Sequence, residues 1–190
     1  FMEIDKALTS QGITVASRMF SLGTNLTEKY FINTEGSTVS SYIPRIGAYG
    51  FLTVVENGRP EQAYKQFGYS GGWEALEKWN ISKQMTHEAN VLRRVIKEGK
   101  AVKPDKMDLV CGTEVTGIAT HESCGHPMEA DRILGRGMSQ AGKSFIHSKG
   151  PFWLGTKIGS PVVTIIDVPT VPNSYGYYEY DDEGIRARPR

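Results

Sequence analysis

Between Lys29 and Phe67 the chain leaves few folds open, because runs rich in aromatic and β-branched residues are cut there by turn formers. Residues 29–33 and 37–43 flank Thr34-Glu35-Gly36, the pattern of a hairpin. Residues 50–56 make a further run, stopped by Asn57-Gly58 and answered by residues 62–67. Strands joined by such short turns pair antiparallel, so the segment reads as an antiparallel β-meander. The glycine-rich loop 68–72 ends it, and Trp73 opens a helical part. The residues before the meander read as a helix or a strand that ends in a turn at Leu22-Gly23-Thr24-Asn25.

From Ser82 to Glu98 the period changes. Met85, Ala89, Leu92, Val95 and Ile96 recur at three- and four-residue intervals, with Arg93, Arg94 and Lys97 between them and Gly99 as a stop. This is an amphipathic helix whose apolar face covers the sheet. Beyond it the sequence predicts a short strand at 107–111, a helix over 114–125 capped by Gly112-Thr113, and loop or short helix over 132–148. A buried strand at 161–167 and a tyrosine-rich β-segment at 175–180 follow, then the acidic turn 181–184. The fold class is therefore α+β: an antiparallel β-meander packed by an amphipathic helix, followed by a metal-motif helix and further strands. Organisation divides it into a β-rich portion, 1–80, and an α/β portion, 81–190.

Charge narrows the partners. Lys and Arg number 22 against 21 Asp and Glu, a net +1 with no basic stripe, which excludes an electrostatic nucleic-acid binder. No apolar run approaches the length of a bilayer span, and the N-terminal residues lack a signal peptide's pattern, so neither a membrane nor export is expected. Two cysteines, Cys111 and Cys124, are too few for a disulfide framework and suit a reducing cytoplasm.

The chemistry concentrates at His121 and His126, with Glu122 directly after the first. Imidazoles and carboxylates are zinc donors, and a catalytic site keeps one position open for water. The familiar peptidase spacing is four residues, which returns both histidines to one helical face; five leaves them about 140° apart around a regular helix. A π-type turn would realign them. Gly125 eases such a distortion, and Pro127 ends or kinks the helix because it donates no backbone hydrogen bond and biases His126 away from helical dihedrals. Glu122 then stands where a carboxylate takes a proton from activated water and hands it to a leaving amine. Glu129 and Asp131 are placed to orient the imidazoles from behind. Cys124, His87 and His147 read as a small packed side chain and two surface histidines.

The longer string His121-Glu122-x-x-Gly125-His126-x-x-Glu129-x-Asp131 resembles the signature of the TldD/PmbA family of zinc-dependent peptidases, in its TldD-like branch. Residues 31–37, with Asn33-Thr34-Glu35-Gly36, are similar to that family's NSEG hairpin, and Asp181-Asp182-Glu183-Gly184 to its DDEG segment. Residues 154–159 and 161–165 lie between motif and tail in the family's order. Gly137 and Val168 depart from it, standing where acidic residues are expected. The resemblance implies Zn2+ held by His121 and His126, Glu122 as catalytic base, and Glu129 and Asp131 in supporting places. It also implies a cysteine ligand from a C-terminal domain beyond Arg190, peptides or unfolded polypeptides as substrate, and a homodimer or a heterodimer with a related subunit. Two functions stay open at this stage: a metallopeptidase acting through metal-activated water, or a catalytically incomplete module for peptide binding or subunit assembly.

Overall fold

The structure, a computed structural model, describes residues 1–147 and 155–189. They fall into two compact units: Phe1–Val102 together with Asp167–Arg190, and Lys103–Ile166. The division thus falls after the amphipathic helix and not at residue 80, because that helix buries its apolar face on the sheet and belongs with it.

In the first unit a helix, α1 (Met2–Thr9), precedes three long strands, β1 (Val15–Ile32), β2 (Thr38–Glu56) and β3 (Arg59–Ser70). They form one antiparallel sheet in the order β1-β2-β3. The meander is as expected, but its strands are longer. Leu22, Gly23, Thr24 and Asn25 are paired with Ala48, Gly47, Ile46 and Arg45, so the anticipated turn is the middle of a strand. The ladder to β2 fixes the backbone there more strongly than the local Gly-Thr-Asn composition does. Pro44, which has no N–H to give a ladder, lies just past the last β2–β3 pair, Arg45 with Ser70. Asn57 and Gly58 take φ of 52° and 74°, the positive values of the tight hairpin that joins β2 to β3.

Burial along β2 alternates with the period of the strand. Ile46, Ala48, Leu52 and Val54 face inward. Leu52 and Val54 meet α1 through Ile4 and Leu8, and α3 (Ile81–Glu98) through Met85, Ala89, Leu92 and Ile96. Between β3 and α3 a short helix, α2 (Glu74–Trp79), stops at Asn80 in the left-handed conformation. Val95, counted with the apolar face in the sequence, is 46% exposed, lying beside the stripe that Leu92 and Ile96 define. The rim is ionic: Glu56 receives Arg93 at 2.8 Å and Lys97 at 3.5 Å, and Lys65 meets Glu88 at 3.3 Å.

The opposite face of the sheet carries residues 167–189 as a strap. Ser70 exchanges hydrogen bonds with Asn173 and donates its hydroxyl to the Ser174 carbonyl at 2.6 Å, while the Arg45 guanidinium donates to the carbonyls of Tyr175 and Tyr177. Lys29 donates to the carbonyls of Tyr180 and Asp181 and pairs with Asp182. The acidic 181–184 segment is thus a turn docked on β1, with Asp181 accepting the N–H groups of Glu183 and Ile185. The tyrosine-rich segment packs on the sheet without joining it as a strand; among the described residues its pairing is the isolated bridge Tyr180 to Arg186.

Tyr175 lies across the paired glycines Gly47 and Gly68, and a Cβ on Gly68 would come within 2.9 Å of the Tyr175 Cβ. Backbone-proximal atoms cannot swing away, so Gly68→Ala is expected to cost about 1–3 kcal/mol, typical of overpacking, and to loosen the strap. Urea unfolding with hydrogen exchange at Ser70 and Tyr177 measures it. Parent-like stability and exchange would mean the strap is not held by this contact.

The second unit holds α4 (Thr113–Thr120), the histidine segment, α5 (Ala130–Ile133) and α6 (Met138–Ala141). The strands expected at 107–111 and 161–167 do not form. Val110 is 97% exposed and Val162 88%, and neither segment has a ladder partner among the described residues. Apolar β-branched composition makes a strand only where a second strand accepts its hydrogen bonds. Among the described residues no helix is long and apolar enough to cross a membrane.

Candidate metal centre

α4 follows Gly112, which is extended, and runs from Thr113 to Thr120, delivering His121 on an unbroken helical backbone. The next turn is wider. His121–Gly125 is a π-helical turn in which the His126 N–H donates to the His121 carbonyl, a bond five residues long. A bond of that length closes a wider ring than the α-helical one and returns residue i+5 to the face of residue i. The two imidazoles, which a regular helix would hold about 140° apart, sit with ring centroids 4.2 Å apart at 73°. Ligand atoms of His121, Glu122 and His126 all lie within 4.8 Å of one another.

What widens the turn is clearer at Pro127 than at Gly125. Gly125 takes φ −72° and ψ −76°, open to any residue, and an added Cβ would only touch His121 Nδ1 at 3.5 Å. Pro127 has no N–H to continue an α-helical ladder, so the chain tightens into a 3₁₀ turn, His126–Met128, and becomes extended at Glu129. His126 itself keeps helical dihedrals, φ −56° and ψ −41°, against the bias that a following proline imposes. The 3₁₀ turn that begins at His126 accommodates the ring.

Glu129 Oε1 meets His126 Nδ1 at 2.8 Å. An ionised carboxylate only accepts, so Nδ1 is the donor of this contact and Nε2 is the nitrogen turned away from Glu129. The His126 contact, with the Arg132 guanidinium second, holds the Glu129 carboxyl below the usual carboxylate range. Asp131 is exposed and joins neither the cluster nor this contact. Cys124 is half-buried and Cys111 exposed, both as free thiols outside the cluster. His87 is exposed, as expected of a surface histidine. His147 is not: it is half-buried, with Nδ1 2.7 Å from the Ile133 carbonyl and its ring over Gly135. Arg132 and Ser144, which approach the His126 turn, carry no sequence signal beyond Arg132's three-residue spacing from Glu129.

Two imidazoles and a carboxylate converging on one distorted helical turn are side chains of the types that can hold a metal ion. The chain belongs to the TldD/PmbA metallopeptidase family: residues 1–97 match its description "PmbA/TldA metallopeptidase central domain" and residues 104–190 "PmbA/TldA metallopeptidase C-terminal domain". The C-terminal domain that the resemblance placed beyond Arg190 is thus matched by residues 104–190 of this chain. A metalloprotease of Methanothermobacter thermautotrophicus is 34% identical over 83% of this chain and 32% of its own length. A metalloprotease of Methanocaldococcus jannaschii is 28% identical over 85% of this chain and 33% of its own. A zinc metalloprotease TldD homolog of Saccharolobus solfataricus is 33% identical over 53% of this chain and 20% of its own. The chain spans about a third of the length of the first two of these relatives. No solved structure matches it.

Proposed function

We propose that these residues carry the metal-binding and proton-transfer part of a zinc-dependent peptidase. The convergence of His121, Glu122 and His126 on a turn that a regular helix would not provide supports this most directly. Neutral imidazoles are fitting zinc donors, and the relative from Saccharolobus solfataricus bears zinc in its name. A zinc ion bound there acidifies water and polarises a peptide carbonyl. His121 and His126 hold the ion. Glu122, exposed and beside both rings, takes the proton of the attacking water and returns it to the amine that leaves. Glu129 keeps the His126 proton on Nδ1.

The substrate class is extended or unfolded polypeptide, worked on in a reducing cytoplasm by a pair of chains, either two copies or this chain with a related subunit. Two histidines fall one short of the three protein ligands a catalytic zinc site usually has. The third ligand is assigned to residues outside this stretch. The test is metal analysis of the purified full-length protein beside a peptide-cleavage assay. Stoichiometric zinc is expected, with hydrolysis lost to a chelator and regained on adding zinc. Metal-independent peptide binding without cleavage would establish the binding module in its place.

A further inference from the structure

We infer that Arg132 and Ser144 are positioning residues for the His126 imidazole, an inference that rests on the metal site proposed above. His126 sits one turn before the chain becomes extended at Glu129. Its polar side-chain partner among the described residues, Glu129, is 43% exposed, and a carboxylate that open has water as a competitor and several rotamers to choose from. Arg132 removes that freedom. Its Nε donates to Glu129 Oε2 at 2.6 Å while a second guanidinium nitrogen donates to the Ala141 carbonyl at 3.0 Å. The planar fork is fixed at both ends, so the carboxylate it holds is fixed too.

Ser144 holds the backbone of the same turn. It is buried, donates its hydroxyl to the Pro127 carbonyl at 2.7 Å, and accepts the Ile146 N–H at 3.1 Å. Its own N–H goes to the Arg132 carbonyl at 3.2 Å. Ile133 and Ile146, both buried, anchor this loop. Residues 127, 129, 132, 141 and 144 are therefore linked in one hydrogen-bonded network, centred on Arg132, that fixes where His126 sits and which nitrogen it offers. Neither Arg132 nor Ser144 reaches the cluster itself.

The experiment compares full-length parent, Arg132→Met, Arg132→Lys and Ser144→Ala by two readouts. Zinc affinity is measured by chelator competition, and the His126 tautomer by nitrogen NMR of the metal-free protein. Outer-shell partners of metal-bound histidines typically carry about 10–100-fold in affinity, and Arg132→Met is expected to weaken zinc by about tenfold within that range. The protonated-Nδ1 tautomer, dominant in the parent, should become mixed. Arg132→Lys keeps the charge but cannot span both acceptors, so it falls between, and Ser144→Ala weakens zinc with a smaller tautomer change. Parent-like affinity and tautomer in Arg132→Met overturn the inference; should that variant fail to fold, the same result in Arg132→Lys does so. If the parent binds no zinc at His121 and His126, the metal site fails, and the tautomer comparison still decides Arg132.

Discussion

Glu122→Gln in the full-length protein is expected to keep its zinc and to lose peptide hydrolysis, with kcat falling by roughly 10²–10⁴-fold, the usual weight of a general base. Glutamine fills the same volume and can still accept a hydrogen bond, but it cannot take the proton of the attacking water or carry it to the leaving amine. The geometry makes the experiment informative in a second way. Glu122 lies within 4.8 Å of ligand atoms on both histidines, close enough to serve either as base beside the metal or as a ligand to it. A base leaves the zinc affinity of the variant near that of the parent, whereas a ligand takes affinity down with activity. Metal content and turnover measured on one preparation separate the two. Hydrolysis at the parent rate would remove Glu122 from the chemistry altogether.

How much of this was legible in the sequence depends on whether the cause was local. The hairpin at Thr34-Glu35-Gly36, the Asn57-Gly58 turn and the α3 stripe are short-range patterns, and each lies where the residues place it. The π turn was legible too, because a five-residue spacing between would-be ligands has few helical solutions. Where partners decide, the local pattern misleads. Leu22-Gly23-Thr24-Asn25 has the composition of a turn and sits in mid-strand because Arg45, Ile46, Gly47 and Ala48 lie opposite. Residues 107–111 and 161–167 have the composition of strands and stay open because among the described residues no strand lies opposite. Arg132 and Ser144 were silent for a related reason: each acts through a carbonyl or carboxylate brought near by the 130–147 loop, and no spacing rule reports such a closure.

The 190 residues on their own are expected to bind zinc weakly and to cleave no peptide. Among the described residues the gathered donors are His121, Glu122 and His126, and if Glu122 is the base, only two nitrogens remain to hold the ion. A catalytic zinc site usually has three protein ligands and an open fourth position. Neither thiol makes up the deficit, since Cys111 and Cys124 both stand outside the cluster. The surroundings point the same way. His121 and Glu122 are exposed, whereas hydrolytic sites exclude bulk water so that charges inside them interact strongly. In the same unit Leu109, Val110 and Val162 are more than 80% exposed, surface that an isolated chain leaves in water and that favours association. Calorimetric zinc titration of this chain, run beside the cleavage assay and a sedimentation measurement, is the deciding comparison with the full-length protein. The expected result is weak binding, no turnover and concentration-dependent association. Tight stoichiometric zinc with chelator-sensitive turnover would show that His121, His126 and Glu122 already suffice, with Glu122 or a thiol as the third ligand and a different group as the base.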